Sequence, residues 1–172
     1  MSPPDNDILE DKMPFIVFAI SLLLIAVDQI TKYLIDLHLK PIGNFEVIKN
    51  FFSLDYLENR GAALGILQDK RWIFIVLTAL ICVAMLVFLF KYKQHNFWTY
   101  TSICLIFAGG IGNLIDRILR GYVIDFLYFH FFPYRFNIAD CCVTVGAILF
   151  AVAVIMFEKK QNEKVIEDEK SE

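Results

Sequence analysis

The chain has 172 residues, 58% of them hydrophobic and 20% charged, with a mean hydropathy of +0.57 and a formal net charge of -3 at pH 7. Such hydropathy argues against a soluble globular domain, and 16 basic against 19 acidic residues offer no positive surface for a nucleic-acid backbone. Cys82, Cys104, Cys141 and Cys142 lie in apolar runs without paired spacing or a nearby histidine, so they read as core residues rather than a disulfide frame or a metal site.

Residues 1–12 form a short polar tail. The first apolar run starts at Met13 and continues through Asp28-Gln29-Ile30-Thr31-Lys32 to Leu34, a span over about 14–34. It lacks a basic leader and a small-residue cleavage pattern, so it is expected to stay in place as a helix. In the connection over 45–67, Phe52-Ser53-Leu54-Asp55-Tyr56 partly alternates and is aromatic, which suggests short strands lying on the membrane surface. The charge-free runs 72–90 and 97–115 predict spans at about 72–90 and 97–117, joined by the short Lys91–His95 connection.

The connection over 121–135 is aromatic-rich and is expected at the interface, and a fourth span at 137–157 is broken only by Asp140. Trp72, Tyr92, Trp98 and Tyr100 mark span ends, where amphipathic rings sit at headgroup level. The polar tails over 1–12 and 158–172 are both expected to be solvated and disordered. The predicted organisation is therefore a single four-span membrane domain over 13–157 between two polar tails. The lysines of the short connection and of Lys159-Lys160 lean toward cytoplasmic tails, although charge bias alone does not settle orientation, because the two longer connections are also basic.

Polar groups at span ends are costly in hydrocarbon and mark either function or a paired structural role. Asp28 and Lys32 are spaced i, i+4 in the favourable acid-before-base order, as a helix-surface ion pair or a functional pair would be. In Gly109-Gly110-Ile111-Gly112-Asn113-Leu114-Ile115-Asp116-Arg117 the glycines allow close helix approach, and Asn113, Asp116 and Arg117 share a face. Asp125 follows the third span, and Asp140 opens the fourth, three residues after Asn137 and next to Ala139.

If Asp125 folds back against Asp140, two like carboxylates cannot both ionise easily, and the pair would share a proton as in an aspartic protease. Each aspartate alone could equally be a cap or a partner of Arg117, Arg120 or Arg135. His38, His95 and His130 fall in connections and are expected to be solvated, Ser21 and Ser102 lack a basic partner, and no zinc helix, nucleophile elbow or phosphate loop is present. A proton or cation relay through Asp28, Asp116, Asp125 and Asp140, or a structural protein recruiting partners through its aromatic loops, would also suit these residues.

Five blocks in order, Asp28-Gln29-x-Thr31-Lys32, Asn59-Arg60-Gly61-Ala62-Ala63, the 109–117 glycine segment, Val123-Ile124-Asp125-Phe126 and Phe136-Asn137-x-Ala139-Asp140, resemble lipoprotein signal peptidase (signal peptidase II), a bacterial membrane aspartic protease family. The resemblance implies an all-α membrane protein of four transmembrane helices, with a small extracytoplasmic sheet as a cradle between helices 1 and 2. It implies Asp125 and Asp140 as the catalytic dyad, and Asn59, Gly61, Asn113, Arg117, Asn137 and Ala139 as substrate-binding or supporting residues. Asp28, Lys32 and Asp116 would hold the site in shape.

The implied substrates are diacylglyceryl-modified prolipoproteins, cleaved just before the lipid-bearing cysteine, with membrane lipid as surroundings and globomycin as inhibitor. No metal or other cofactor, no nucleic acid and no second subunit is implied: the chain would be a monomer. The implied location is the bacterial plasma (inner) membrane, with both termini cytoplasmic and the active site on the outer face. Leu64-Gly65 departs from the Phe-Ser often found at that point in the family.

Overall fold

The computed structural model describes residues 4–61, 70–92 and 95–171, with side chains described for those of them between 12 and 157. Among the described residues, four helices and four strands follow in the order α1 (Pro4–His38), β1 (Asn44–Ile48), β2 (Phe52–Asn59), α2 (Arg71–Lys91), α3 (Phe97–Leu119), β3 (Val123–Phe129), β4 (Arg135–Phe136) and α4 (Ile138–Ser171). Each helix contains a segment long and apolar enough to cross a bilayer: Lys12–His38, Arg71–Lys91, Phe97–Leu119 and Ile138–Phe157. Outward-facing apolar side chains such as Phe15, Leu80 and Ile155 are 74%, 62% and 66% exposed, which is stable only where lipid is the solvent. The protein is thus a multi-pass membrane protein.

Helix α3 is the central post, packed against α1, α2 and α4. Its glycines explain how. Successive helical residues point about 100° apart, and a Cβ on Gly109 would strike the Ala139 carbonyl of α4, one on Gly110 would lie 2.9 Å from Cys82 Sγ of α2, and one on Gly112 would lie 2.6 Å from Asp28 Oδ2 of α1. Each glycine therefore admits a different neighbour. At its start α3 is capped by Asn96, whose side chain accepts from Thr99 N at 2.9 Å.

Near the tail end, α2 and α4 meet through aromatic rings, Phe88 with Phe150 at 5.8 Å and Tyr92 with Phe157 at 6.2 Å. Toward the opposite end a groove separates them.

The sheet is antiparallel throughout, in the order β1-β2-β3-β4. It differs from the sequence expectation, which placed strands only in the connection between α1 and α2. The aromatic run after α3 also pairs, with Asn59 opposite Val123 and Leu57 opposite Asp125, so both long connections build one sheet. Ile124 and Phe126 bury against Leu39 at the end of α1, which seats the sheet on the bundle.

Two further expectations are corrected. The backbone of α1 is helical from Pro4 and that of α4 runs to Ser171, so both polar tails continue helices rather than being disordered. His95 is half-buried among Phe88, Tyr92 and Tyr100, with Nε2 bonded to the Leu89 carbonyl at 3.1 Å, and burial lowers its pKa.

Candidate active site

Lys32 is fully buried, an arrangement tolerated only with charged partners around it. Its Nζ lies 2.9 Å from Asp28 Oδ2 and 3.0 Å from Asp116 Oδ2, and donates to Asn113 Oδ1 at 2.9 Å. Of the two readings of Asp28 and Lys32, an exposed surface pair is ruled out. Gln29 Nε2 closes the cluster by donating to Asp28 Oδ2 at 3.1 Å and to the Gly112 carbonyl at 3.0 Å. The acids also reach outward: Asp116 Oδ2 accepts from Ile124 N at 3.3 Å and Asp28 Oδ1 accepts from Ala139 N at 2.9 Å. The cluster thereby pins the residue before Asp125 and the residue before Asp140.

Two asparagines, Asn137 and Asn113, then connect the two carboxylates. Asn137 Nδ2 donates to Asp125 Oδ1 at 2.6 Å and to Asn113 Oδ1 at 3.1 Å, while Asn113 Nδ2 donates to Asp140 Oδ1 at 2.8 Å. Asn59 Nδ2 donates to Asp125 Oδ2 at 2.8 Å, its amide oriented by Gly61 N, which donates to Asn59 Oδ1 at 3.0 Å. Asn113 is the hub, because its oxygen takes both the lysine and Asn137 and so leaves its NH2 for Asp140. Asn137 and Asp140 form a reciprocal cap at the start of α4: Asp140 N donates to Asn137 Oδ1 at 2.8 Å and Asn137 N donates to Asp140 Oδ2 at 3.2 Å.

Burial and the neighbouring Asp140 push the Asp125 carboxyl up to about 7, against the opposing pull of the Asn59 and Asn137 hydrogen bonds and of Lys32. Among the described residues no arginine lies within ion-pair distance of either carboxylate. Arg135 pairs with Asp55 at 2.6 Å and Arg120 with Asp36 and Asp116 at 3.5 Å. Arg117 stacks on Phe74 at 4.9 Å and donates to the Asn113 carbonyl at 3.5 Å. The alternative in which these arginines merely neutralise Asp125 and Asp140 is therefore not realised, although Asp140 does serve as a cap.

Asp125 and Asp140 open onto one groove of about 730 Å³. Its walls are Thr78 and Ile81 of α2, Gly110 and Asn113 of α3, Val143 and Thr144 of α4, and the sheet residues Asn59 and Phe136. The groove runs from the sheet down between the helices, and its polar groups cluster at one end.

All eleven residues singled out from the sequence fall in this region. Asp125, Asp140, Asn59, Asn113 and Asn137 form one hydrogen-bonded set with Lys32, Asp28 and Asp116; Arg117 and Gly61 line the groove; Ala139 contributes its N–H to Asp28. Leu64 and Gly65, with Ala62 and Ala63, lie outside the described residues. The sequence reading assigned no separate role to Gln29, Phe74, Thr78 or Thr144. Gln29 was signalled by standing beside Asp28 within the first polar block, whereas Phe74, Thr78 and Thr144 look like ordinary span positions.

A family-wide profile described as Signal peptidase (SPase) II matches residues 20–156. The lipoprotein signal peptidase of Caldanaerobacter subterraneus subsp. tengcongensis is 48% identical over 128 residues, 74% of this chain and 88% of the relative. That of Staphylococcus aureus (strain JH9) is 39% identical over 150 residues, 86% of this chain and 92% of the relative. Two solved structures, both described as a bacterial membrane enzyme structure by the in meso method, superpose with TM-scores of 0.75 and 0.72 at 40% and 41% identity. They cover 81% and 80% of this chain and 87% and 91% of their own. With four spans, one sheet and this match over most of its length, the chain belongs to the signal peptidase II family.

Proposed function

We propose that this chain is a membrane-embedded aspartic endopeptidase that removes the signal peptide from diacylglyceryl-modified prolipoproteins, cutting just before the lipid-bearing cysteine. The observation that carries the reading is the asparagine ladder, which holds Asp125 and Asp140 together at the polar end of a groove that descends between apolar helices. Its substrate class agrees with the names of the relatives above.

In the mechanism that follows, the two carboxyls share one proton, as the rise of Asp125 to about 7 supports. The ionised member accepts a proton from a water as that water attacks the scissile carbonyl. The protonated member donates a hydrogen bond to the carbonyl oxygen, stabilising the tetrahedral intermediate. Collapse breaks the C–N bond, and a proton passes to the leaving amine of the lipid-bearing cysteine. Asn59 and Asn137 hold Asp125 in place, Asn113 holds Asp140, and Arg117 lies along the groove beside them.

In this reading the groove end bearing the carboxylates lies at the outer face of the plasma membrane, both termini are cytoplasmic, and the chain acts as a monomer. Substrate acyl chains and the signal helix stay in lipid while water reaches the pair from outside.

The test is a gel-shift cleavage assay on a diacylglyceryl precursor, with and without globomycin, for wild type, Asp125→Asn and Asp140→Asn. Globomycin-sensitive cleavage by wild type and its loss in both variants, with insertion unchanged, is expected. Near-normal turnover in either variant would overturn the assignment.

A further inference from the structure

Asn59 reaches Asp125 only because β2 is irregular. Leu54 pairs with Leu127 and Leu57 with Asp125, so three steps along β2 match two along β3, and Asp55 and Tyr56 lie in the bulge between them. Each added residue reverses the face on which later side chains emerge. Without the bulge, Asn59 would face away from Asp125.

The bulge is held from outside the sheet. Tyr56 N donates to the Gly43 carbonyl at 2.8 Å, and the Tyr56 hydroxyl donates to Asp36 Oδ1, near the end of α1, at 2.8 Å. Asp36 is itself fixed by Lys40 at 3.4 Å and Arg120 at 3.5 Å, and Arg120 continues to Asp116 at 3.5 Å. Lys40 also holds Glu58, the neighbour of Asn59, at 3.2 Å. These ion pairs are part-exposed and add little to stability. Their effect is geometric, because they join the α1 terminus, the α3 terminus and β2 around one tyrosine hydroxyl.

We propose that the Tyr56–Asp36 hydrogen bond is a positioning latch that fixes the β2 bulge and so holds the Asn59 amide on Asp125. The inference rests on the reading of Asp125 as a member of the catalytic pair. Tyr56 and Asp36 are positioning residues and act only through Asn59. The charged groups facing Asp125 are Asp140 of α4, Lys32 of α1 and Arg117 of α3, and none of them is itself substituted in these variants.

The test uses the full chain in lipid with a lipid-modified precursor, measuring kcat, KM, the pH profile and thermal unfolding for Tyr56→Phe, Asn59→Ala, the double variant and Asp125→Asn. Tyr56→Phe is expected to lower kcat about tenfold with KM little changed. Its alkaline limb moves upward in the same direction as that of Asn59→Ala, since both lose a donor that favours the ionised carboxylate. The double variant behaves as Asn59→Ala alone. Asp36→Asn, which keeps an acceptor oxygen, loses less activity than Asp36→Ala.

Multiplying effects in the double variant, or a wild-type pH profile in Tyr56→Phe, would overturn the latch. Full turnover by Asp125→Asn would instead overturn the aspartic reading beneath it, so the two failures are distinguishable.

Discussion

Asn137 and Asp140 bond to one another in both directions, backbone N–H to side-chain oxygen each way, at 2.8 and 3.2 Å. The same asparagine donates through Nδ2 to Asp125 at 2.6 Å. One residue therefore starts a helix, aims the first carboxyl and steadies the second.

The two duties of Asn137 are separable by substitution. Asn137→Ala loses the cap and is expected to cost about 1 kcal/mol of stability from that source, together with most of the cleavage activity. Asn137→Ser keeps a capping oxygen but not the bond to Asp125, so thermal unfolding returns toward wild type while cleavage does not. Unfolding temperature and cleavage rate, measured on the same preparations, check this; full activity in Asn137→Ser would refute it.

The Asp125 carboxyl titrates near 7 for two reasons, burial first and the adjacent Asp140 second. Asp140→Asn removes the second and is expected to lower the Asp125 titration, read from its carboxyl infrared band. In the wild type, cleavage falls as pH rises through about 7, when the pair loses the proton it shares. Stability has the same sign: the folded pKa of Asp125 lies above the unfolded value, so its contribution is complete below the ordinary aspartate pKa and is lost as pH climbs to about 7.

Lys32→Met leaves Asp28 and Asp116 buried without the ammonium between them. Breaking a buried ion cluster by removing one partner costs about 3–5 kcal/mol, so the variant is expected to fold poorly. Adding Asp28→Asn and Asp116→Asn should recover part of that loss. Folded yield and thermal unfolding in lipid decide it, and an unchanged Lys32→Met would show that the cluster contributes nothing.

The spans were legible in the sequence because hydrocarbon thickness dictates a run length, and the paired aspartates because each broke an otherwise apolar segment. Asp28 and Lys32 were visible as neighbours on α1. Their burial was not, since it depends on Asp116 and on the absence of a side chain at Gly112, both distant in sequence. Strands β3 and β4 were hidden inside an aromatic run whose pairing is set by β2. His95 was read as solvated because short connections usually face water, whereas Phe88 and Tyr92 at the end of α2 and Tyr100 at the start of α3 close around it. The cap formed by Asn137 and Asp140 had a local signal, the three-residue spacing, but its link to Asp125 required the fold.

The ions around the groove balance in a way that sets a count of protons. Asp28, Asp116, Asp125 and Asp140 are four acids, and Lys32, Arg117 and Arg120 are three cations, while Asp36 and Lys40 offset each other beside them. The set is neutral when Asp125 and Asp140 together carry a single proton. In surroundings that penalise net charge, the protonation of the pair is then expected to depend on Asp28, Asp116, Lys32 and the two arginines as much as on the two carboxyls themselves.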